Sequence, residues 1–166
     1  SKAELVYASP KGGPCPVDPL SVIAYSNDTV ATNFLKNHEH IFNNTIPLHN
    51  FLDKVSEFDA IFYPGGHGPM FDLPENKDSI QLIEEFYATE KIVAAVCHGP
   101  AVLTNAFIGA KPLVAGKHVT GFSNAEEEIG NMTQTVPFLL EDALKERHSK
   151  YSKGALPWDE HVVVDG

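Results

Sequence analysis

Cysteine is scarce in this sequence, with only Cys15 and Cys97 among 166 residues. That excludes a disulfide framework and suits a reducing compartment, so a cytoplasmic protein is expected. Positive charge is also in short supply: Lys and Arg number 12 against 22 Asp and Glu, for a formal net charge of −10. No basic stripe interrupts this balance, and nucleic acid is not an expected partner. No apolar run approaches the length needed to span a bilayer, and the opening residues do not form a signal-peptide pattern, so no membrane role is expected. Three N-x-[ST] matches, at Asn27, Asn43 and Asn131, occur as often as chance allows in an Asn-rich chain. What remains is ordinary for a globular protein. At 43% hydrophobic and 20% charged residues, the chain reads as a single domain over residues 1–166.

The richest stretch is 92–105, IVAAVCHGPAVLTN. Residues 92–96 are small or β-branched and read as a strand buried on both faces. Cys97, His98, Gly99 and Pro100 follow at once, and then a helix-compatible run. A thiol on such a strand–turn–helix junction points away from the sheet, and the partial positive charge at a helix start favours thiolate. A thiol that is only core filling would be expected inside an apolar run, whereas Cys97 ends one beside a titratable His. Cys15, flanked by prolines and without a neighbouring base, reads as a loop residue without chemistry.

Elsewhere the pattern is regular. Residues 4–8 alternate as a strand and stop at a Pro/Gly-rich loop; 28–44 read as a helix capped by Asn27 or Asp28. His38 and His40 lie two apart on that helix, on different sides, so they do not build a metal site alone. A short helix is expected over 50–57. Residues 59–63 form the next strand and run into Pro64-Gly65-Gly66-His67-Gly68-Pro69. Residues 78–88 form an amphipathic helix, with Ile80, Ile83 and Tyr87 on one stripe, Leu82 and Phe86 beside it, and Glu84 and Glu85 outward. The helix links the two strands as a βαβ unit, which makes them parallel neighbours. Their carboxyl ends then share one sheet edge, where open parallel sheets bind ligands. The Gly65-Gly66 loop therefore faces the Cys97 turn. Further on, 111–121 read as a hairpin around Gly116-Lys117, 125–129 as a short helix capped by Ser123 or Asn124, 137–147 as a helix, and 161–164 as a last strand.

The segments FYPGGHG (62–68), AAVCHGPAVL (94–103), HVTGFSNAEE (118–127) and LPWDEHVVVDG (156–166) resemble the ThiJ/PfpI superfamily. Within it they resemble most the glyoxalase III branch related to heat-shock chaperones. The resemblance implies a flavodoxin-like three-layer α/β sandwich with a mostly parallel sheet and a homodimer. It also implies a Cys-His-acid site whose acid matches Glu127, with Glu126 and Glu128 as near neighbours. The family's first strand, with a glutamate set against the nucleophile, has no counterpart here, and neither does its C-terminal strand and helix. A parallel sheet without a central strand leaves unpaired edges, so the segment is expected to be incomplete at both ends.

The expected site is therefore Cys97 as nucleophile, His98 as base and Glu127 as the acid that orients it. Backbone N–H groups of Gly66 and His98 form the oxyanion site, and Gly65, His67 and Phe122 line the pocket. The resemblance implies conversion of a methylglyoxal-type 2-oxoaldehyde to a 2-hydroxy acid such as D-lactate, with no cofactor and no metal. Three rivals remain open at this point: a hydrolase or amidase using the same pair, a stress-induced holdase independent of Cys97, and a metal site made of His67, His98 and Glu127.

Overall fold

Extended chain becomes a strand only where a second segment supplies a ladder, and distant partners decide this more than local pattern does. The structure, a computed structural model, describes residues 3–165 and separates into two units, Ser1–Phe51 and Leu52–Gly166. In the first unit, β1 (Ala8–Ser9) pairs in parallel with β2 (Ile46–Pro47). The expected strand over 4–8 thus shrinks to its end, because only Ala8 and Ser9 meet a partner. Between them lie α1 (Pro19–Ala24), α2 (Thr29–Asn37) and α3 (Glu39–Asn43). Asp18 and Asp28 cap the first two, their carboxylates accepting from the N–H of Leu20 and of Val30 and Ala31. The single helix expected over 28–44 is broken at His38, whose ψ of 22° and φ of −126° lie outside the helical well. His38 and His40 are both exposed.

The second unit carries the βαβ motif that the spacing predicts. In it β3 (Ala60–Tyr63) is followed by α4 (Pro69–Asp72), α5 (Lys77–Ala88) and β4 (Ile92–Ala95). The two strands are parallel and in register from Ala60 opposite Ile92 to Tyr63 opposite Ala95. Asn76 caps α5 by accepting from the Ser79 N–H. Leu82, Ile83 and Phe86 are buried along one side of α5, and burying each is worth about 1.5–3 kcal/mol. Tyr63, at the end of β3, is tied to Ser79 by hydroxyls 3.0 Å apart. Glu84 is half-buried rather than outward, because it accepts from the Phe107 N–H at 2.8 Å.

Beyond β4 the chain turns at Cys97 and continues as a 3-10 helix, Gly99–Asn105. Its buried side chains serve two clusters at once. Val102, together with Ala106 just past the helix end, packs with Tyr63, Ile83, Leu113 and Val114, while Ala101 packs with Met70, Val136, Leu140 and Leu144. The turn ahead of this helix is thus anchored from both sides.

The remaining elements are β5 (Phe107–Ile108), β6 (Lys111–Pro112), β7 (His118–Val119), α6 (Asn124–Ile129), α7 (Leu140–Glu146) and β8 (Lys150–Tyr151). The antiparallel pair is β5–β6, not the hairpin expected around Gly116-Lys117. There, Gly116 donates to the His148 carbonyl and Lys150 donates to that of Lys117, so β7 pairs in parallel with β8 instead. Residues 161–164 gain no ladder partner, and Asp165 accepts from the His118 N–H at 2.7 Å. The overall class is α/β with short, mostly parallel pairings.

Candidate active site

Cys97 follows the last apolar residues of the strand run and sits at φ 61°, in the left-handed region that non-glycine residues seldom occupy. The conformation swings its side chain out of line with β4 and is held by a 2.8 Å hydrogen bond from the Phe122 N–H to the Cys97 carbonyl. Gly65 lies directly against it: a Cβ there would crowd the Cys97 side chain, standing only 3.0 Å from Sγ. Gly66 beside it has φ 85°, and nothing among the described residues lies within 4 Å of where its Cβ would be. The two loops expected to face one another do so.

The helix start does not lend its amides to the thiol as the sequence pattern predicts. Gly99 donates to the Val96 carbonyl at 2.8 Å, Ala101 donates to that of His98 at 3.0 Å, and Pro100 has no N–H. A seven-residue 3-10 helix also sums few peptide dipoles. The polar side chain that reaches the sulfur is His98, whose Nδ1 stands 3.5 Å from Cys97 Sγ.

His98 is 1% exposed and points its other nitrogen, Nε2, at Glu127 Oε2, 2.6 Å away. An ionised carboxylate can only accept, so Nε2 carries the proton and Nδ1 is bare towards the thiol. Burial lowers the His98 pKa, with Glu127 pulling the other way; the imidazole is kept in its basic form. Glu127 is 2% exposed and lies in α6. Its orientation has a local cause. Ser123 caps α6 and Glu126 reaches back to the Ser123 N–H in a capping box. Glu126 also accepts from the Trp158 N–H. The next residue, Glu127, then faces the interior, and Glu128 is exposed.

His67 adds a contact that the spacing does not announce. Its Nε2 lies 2.9 Å from the other oxygen of Glu127, and its ring centroid is 4.3 Å from that of His98. Phe122 covers the opposite side of His98 at 4.1 Å, and Trp158 stands 5.5 Å from Phe122. Cys97, His98, Glu127, Gly65, His67 and Phe122 thus converge on one place. The link from Trp158 was not legible, since it depends on a loop returning to α6. His67, His98 and Glu127 also offer three ligand atoms within 4.8 Å of one another. Their N···O separations of 2.9 and 2.6 Å are those of N–H···O hydrogen bonds, with one imidazole on each carboxylate oxygen.

A thiol on a tight turn, an imidazole next to it in sequence and a carboxylate on a separate helix are the groups this site brings together. Residues 19–166 match the model of the DJ-1/PfpI family. The chain belongs to the DJ-1/PfpI family. Among curated DJ-1/PfpI relatives, it is 34% identical over 151 residues to the glutathione-independent glyoxalase HSP31 of Saccharomyces cerevisiae, covering 86% of this chain and 63% of that protein. The chain thus spans somewhat less than two thirds of that relative's length. Among solved structures it is similar to the rapid encystment protein REP24 of Francisella tularensis, with a TM-score of 0.81, 36% identity, and 93% and 68% of the two chains covered. It is also similar to glyoxalase III of Candida albicans, with a TM-score of 0.70, 26% identity and coverage of 85% and 61%.

Proposed function

We propose that this chain carries the nucleophile, base and acid of a glutathione-independent glyoxalase that converts methylglyoxal-type 2-oxoaldehydes to 2-hydroxy acids such as D-lactate. The observation that carries this reading is His98 itself: its Nδ1 is 3.5 Å from the Cys97 sulfur while its Nε2 is 2.6 Å from Glu127 Oε2. The glyoxalase names of two similar proteins supply the substrate class, and they do not favour the hydrolase or holdase alternatives.

In this scheme the thiol proton passes to His98 and sulfur attacks the aldehyde carbon, forming a C–S bond and a hemithioacetal. The developing oxyanion lies between the N–H groups of Gly66 and His98, neither of which is engaged by another described residue. His98 hands the thiol proton to that oxyanion, which frees Nδ1. It then takes the proton from the former aldehyde carbon and delivers it to the neighbouring carbon, while the hydroxyl proton of the first carbon passes to the former ketone oxygen. The first carbon is oxidised to a thioester and the second is reduced to a carbinol, so no external electron carrier enters. Water adds to the thioester, the C–S bond breaks, and the thiol recovers its proton. No helix among the described residues is long and apolar enough to cross a membrane. A cytoplasmic homodimer completes the proposal; low cysteine content supports the compartment, and the family resemblance supports the dimer.

The test is to incubate purified protein with methylglyoxal and follow lactate. The parent is expected to form lactate and Cys97→Ser is expected to form none above the uncatalysed background. A Cys97→Ser variant at the parent rate would end the covalent scheme.

A further inference from the structure

Glu127 has one more partner than the orientation of a base requires. Its Oε2 serves His98, and its Oε1 is taken by His67 from the Gly65-Gly66 loop. Among the described residues no Lys or Arg reaches this carboxylate, and its hydrogen-bond partners are the two imidazoles. The His67 side chain is 35% exposed whereas that of Glu127 is 3% exposed. We propose that His67 is a positioning residue: by donating Nε2–H to Oε1 it keeps Glu127 an acceptor towards His98, and so holds the Nδ1 of His98 bare for the Cys97 thiol. This rests on reading Cys97 and His98 as nucleophile and base.

The reasoning follows from donor and acceptor counts. With both oxygens accepting, the carboxylate fixes one tautomer of His98. Without His67, a buried oxygen would be left bare and free to take a proton itself. A protonated carboxyl can donate to the Nε2 of His98, which would leave the proton on Nδ1, facing sulfur. The base would then be lost although Cys97, His98 and Glu127 all remained in place. The effect travels through two hydrogen bonds and needs no contact between His67 and the substrate.

Two substitutions of similar polarity separate this role from simple packing. The amide nitrogen of Gln reaches about as far as Nε2 of His, whereas Asn stops one carbon short. The readout is alkylation of Cys97 by iodoacetamide at neutral pH, followed by the mass of the peptide that carries Cys97, so that Cys15 does not contribute. Alkylation of His67→Asn is expected to be slower on the order of 10–100-fold, with His67→Gln recovering most of the parent rate. Alkylation of His67→Asn at the parent rate would overturn the proposal. So would a His67→Gln variant as slow as His67→Asn, because a donor at that reach would then be irrelevant. The assay contains no aldehyde, so failure of the parent to turn over methylglyoxal would count against the substrate reading and leave this result standing.

Discussion

Cys97 occupies a backbone region that costs a non-glycine residue about 1–3 kcal/mol. Its neighbours hold it there: Gly65 leaves room beside the sulfur, and the Phe122 N–H fixes its carbonyl. His98 is the residue whose environment is most altered. Burial depresses its pKa below the usual 6.5, so the folded chain binds fewer protons there than the unfolded chain. Stability from this group is therefore full above 6.5 and falls as pH drops through the depressed value. The expected outcome in an imidazole-resolved NMR titration is a His98 midpoint below 6.5; a midpoint above it would show that Glu127 outweighs burial. Cys97 and His98 were marked by the end of an apolar run, whereas Glu127 came from the family resemblance alone, and the capping box at Ser123 and Glu126 that precedes it is seen in the structure. His67 was grouped with His98 and Glu127 only as a rival metal site; its hydrogen bond to Glu127 was not legible, because a loop residue and a helix residue 60 positions apart share no local pattern.

At the scale of elements, α6 is the piece on which the site depends, and it is short: six residues, Asn124–Ile129. Such a helix does not hold itself in water, so its caps matter more than its propensity. Ser123→Ala removes the side-chain acceptor for the Glu126 N–H and frees Glu126 from its hydroxyl donor. The expected loss is about 0.5–2 kcal/mol of stability. Because Glu127 follows Glu126 on that helix, lactate formation should fall with it. Thermal melting and turnover on the same preparation check both, and unchanged melting would show that α6 is held by packing alone. Helix α5 and the parallel β3–β4 pair could be read from the sequence because a 3.6-residue stripe and a short apolar strand are local signals. The hairpin and last strand could not. Residues 118–119 choose a partner at 150–151, and 161–164 present β-branched residues with no ladder to join. The helix expected from Pro137 begins only at Leu140, since Leu139 is still extended with ψ 119°.

At the scale of the second unit, two apolar clusters share the 3-10 helix Gly99–Asn105, and one buried acid links the outer helices. Glu141 on α7 accepts from the Asn124 N–H at the start of α6 and from Lys145 and Lys153. Burial alone would raise its pKa, yet these donors outweigh burial and hold it at about 2. The sign follows from the depression: this stability is full above 4.5 and is lost as pH falls towards 2. Glu141→Gln is expected to cost about 1–3 kcal/mol near neutral pH, with the gap to the parent closing in acid. Denaturant melts at both ends of that range check it, and a gap that stays constant with pH would assign the loss to packing. The single Trp of the chain has a consequence of its own. Trp158 leans on Phe122, which leans on His98, so the one indole of the sequence emits from the aromatic stack that ends at His98. Any reagent that settles there is announced by the light the molecule already emits, with no dye attached.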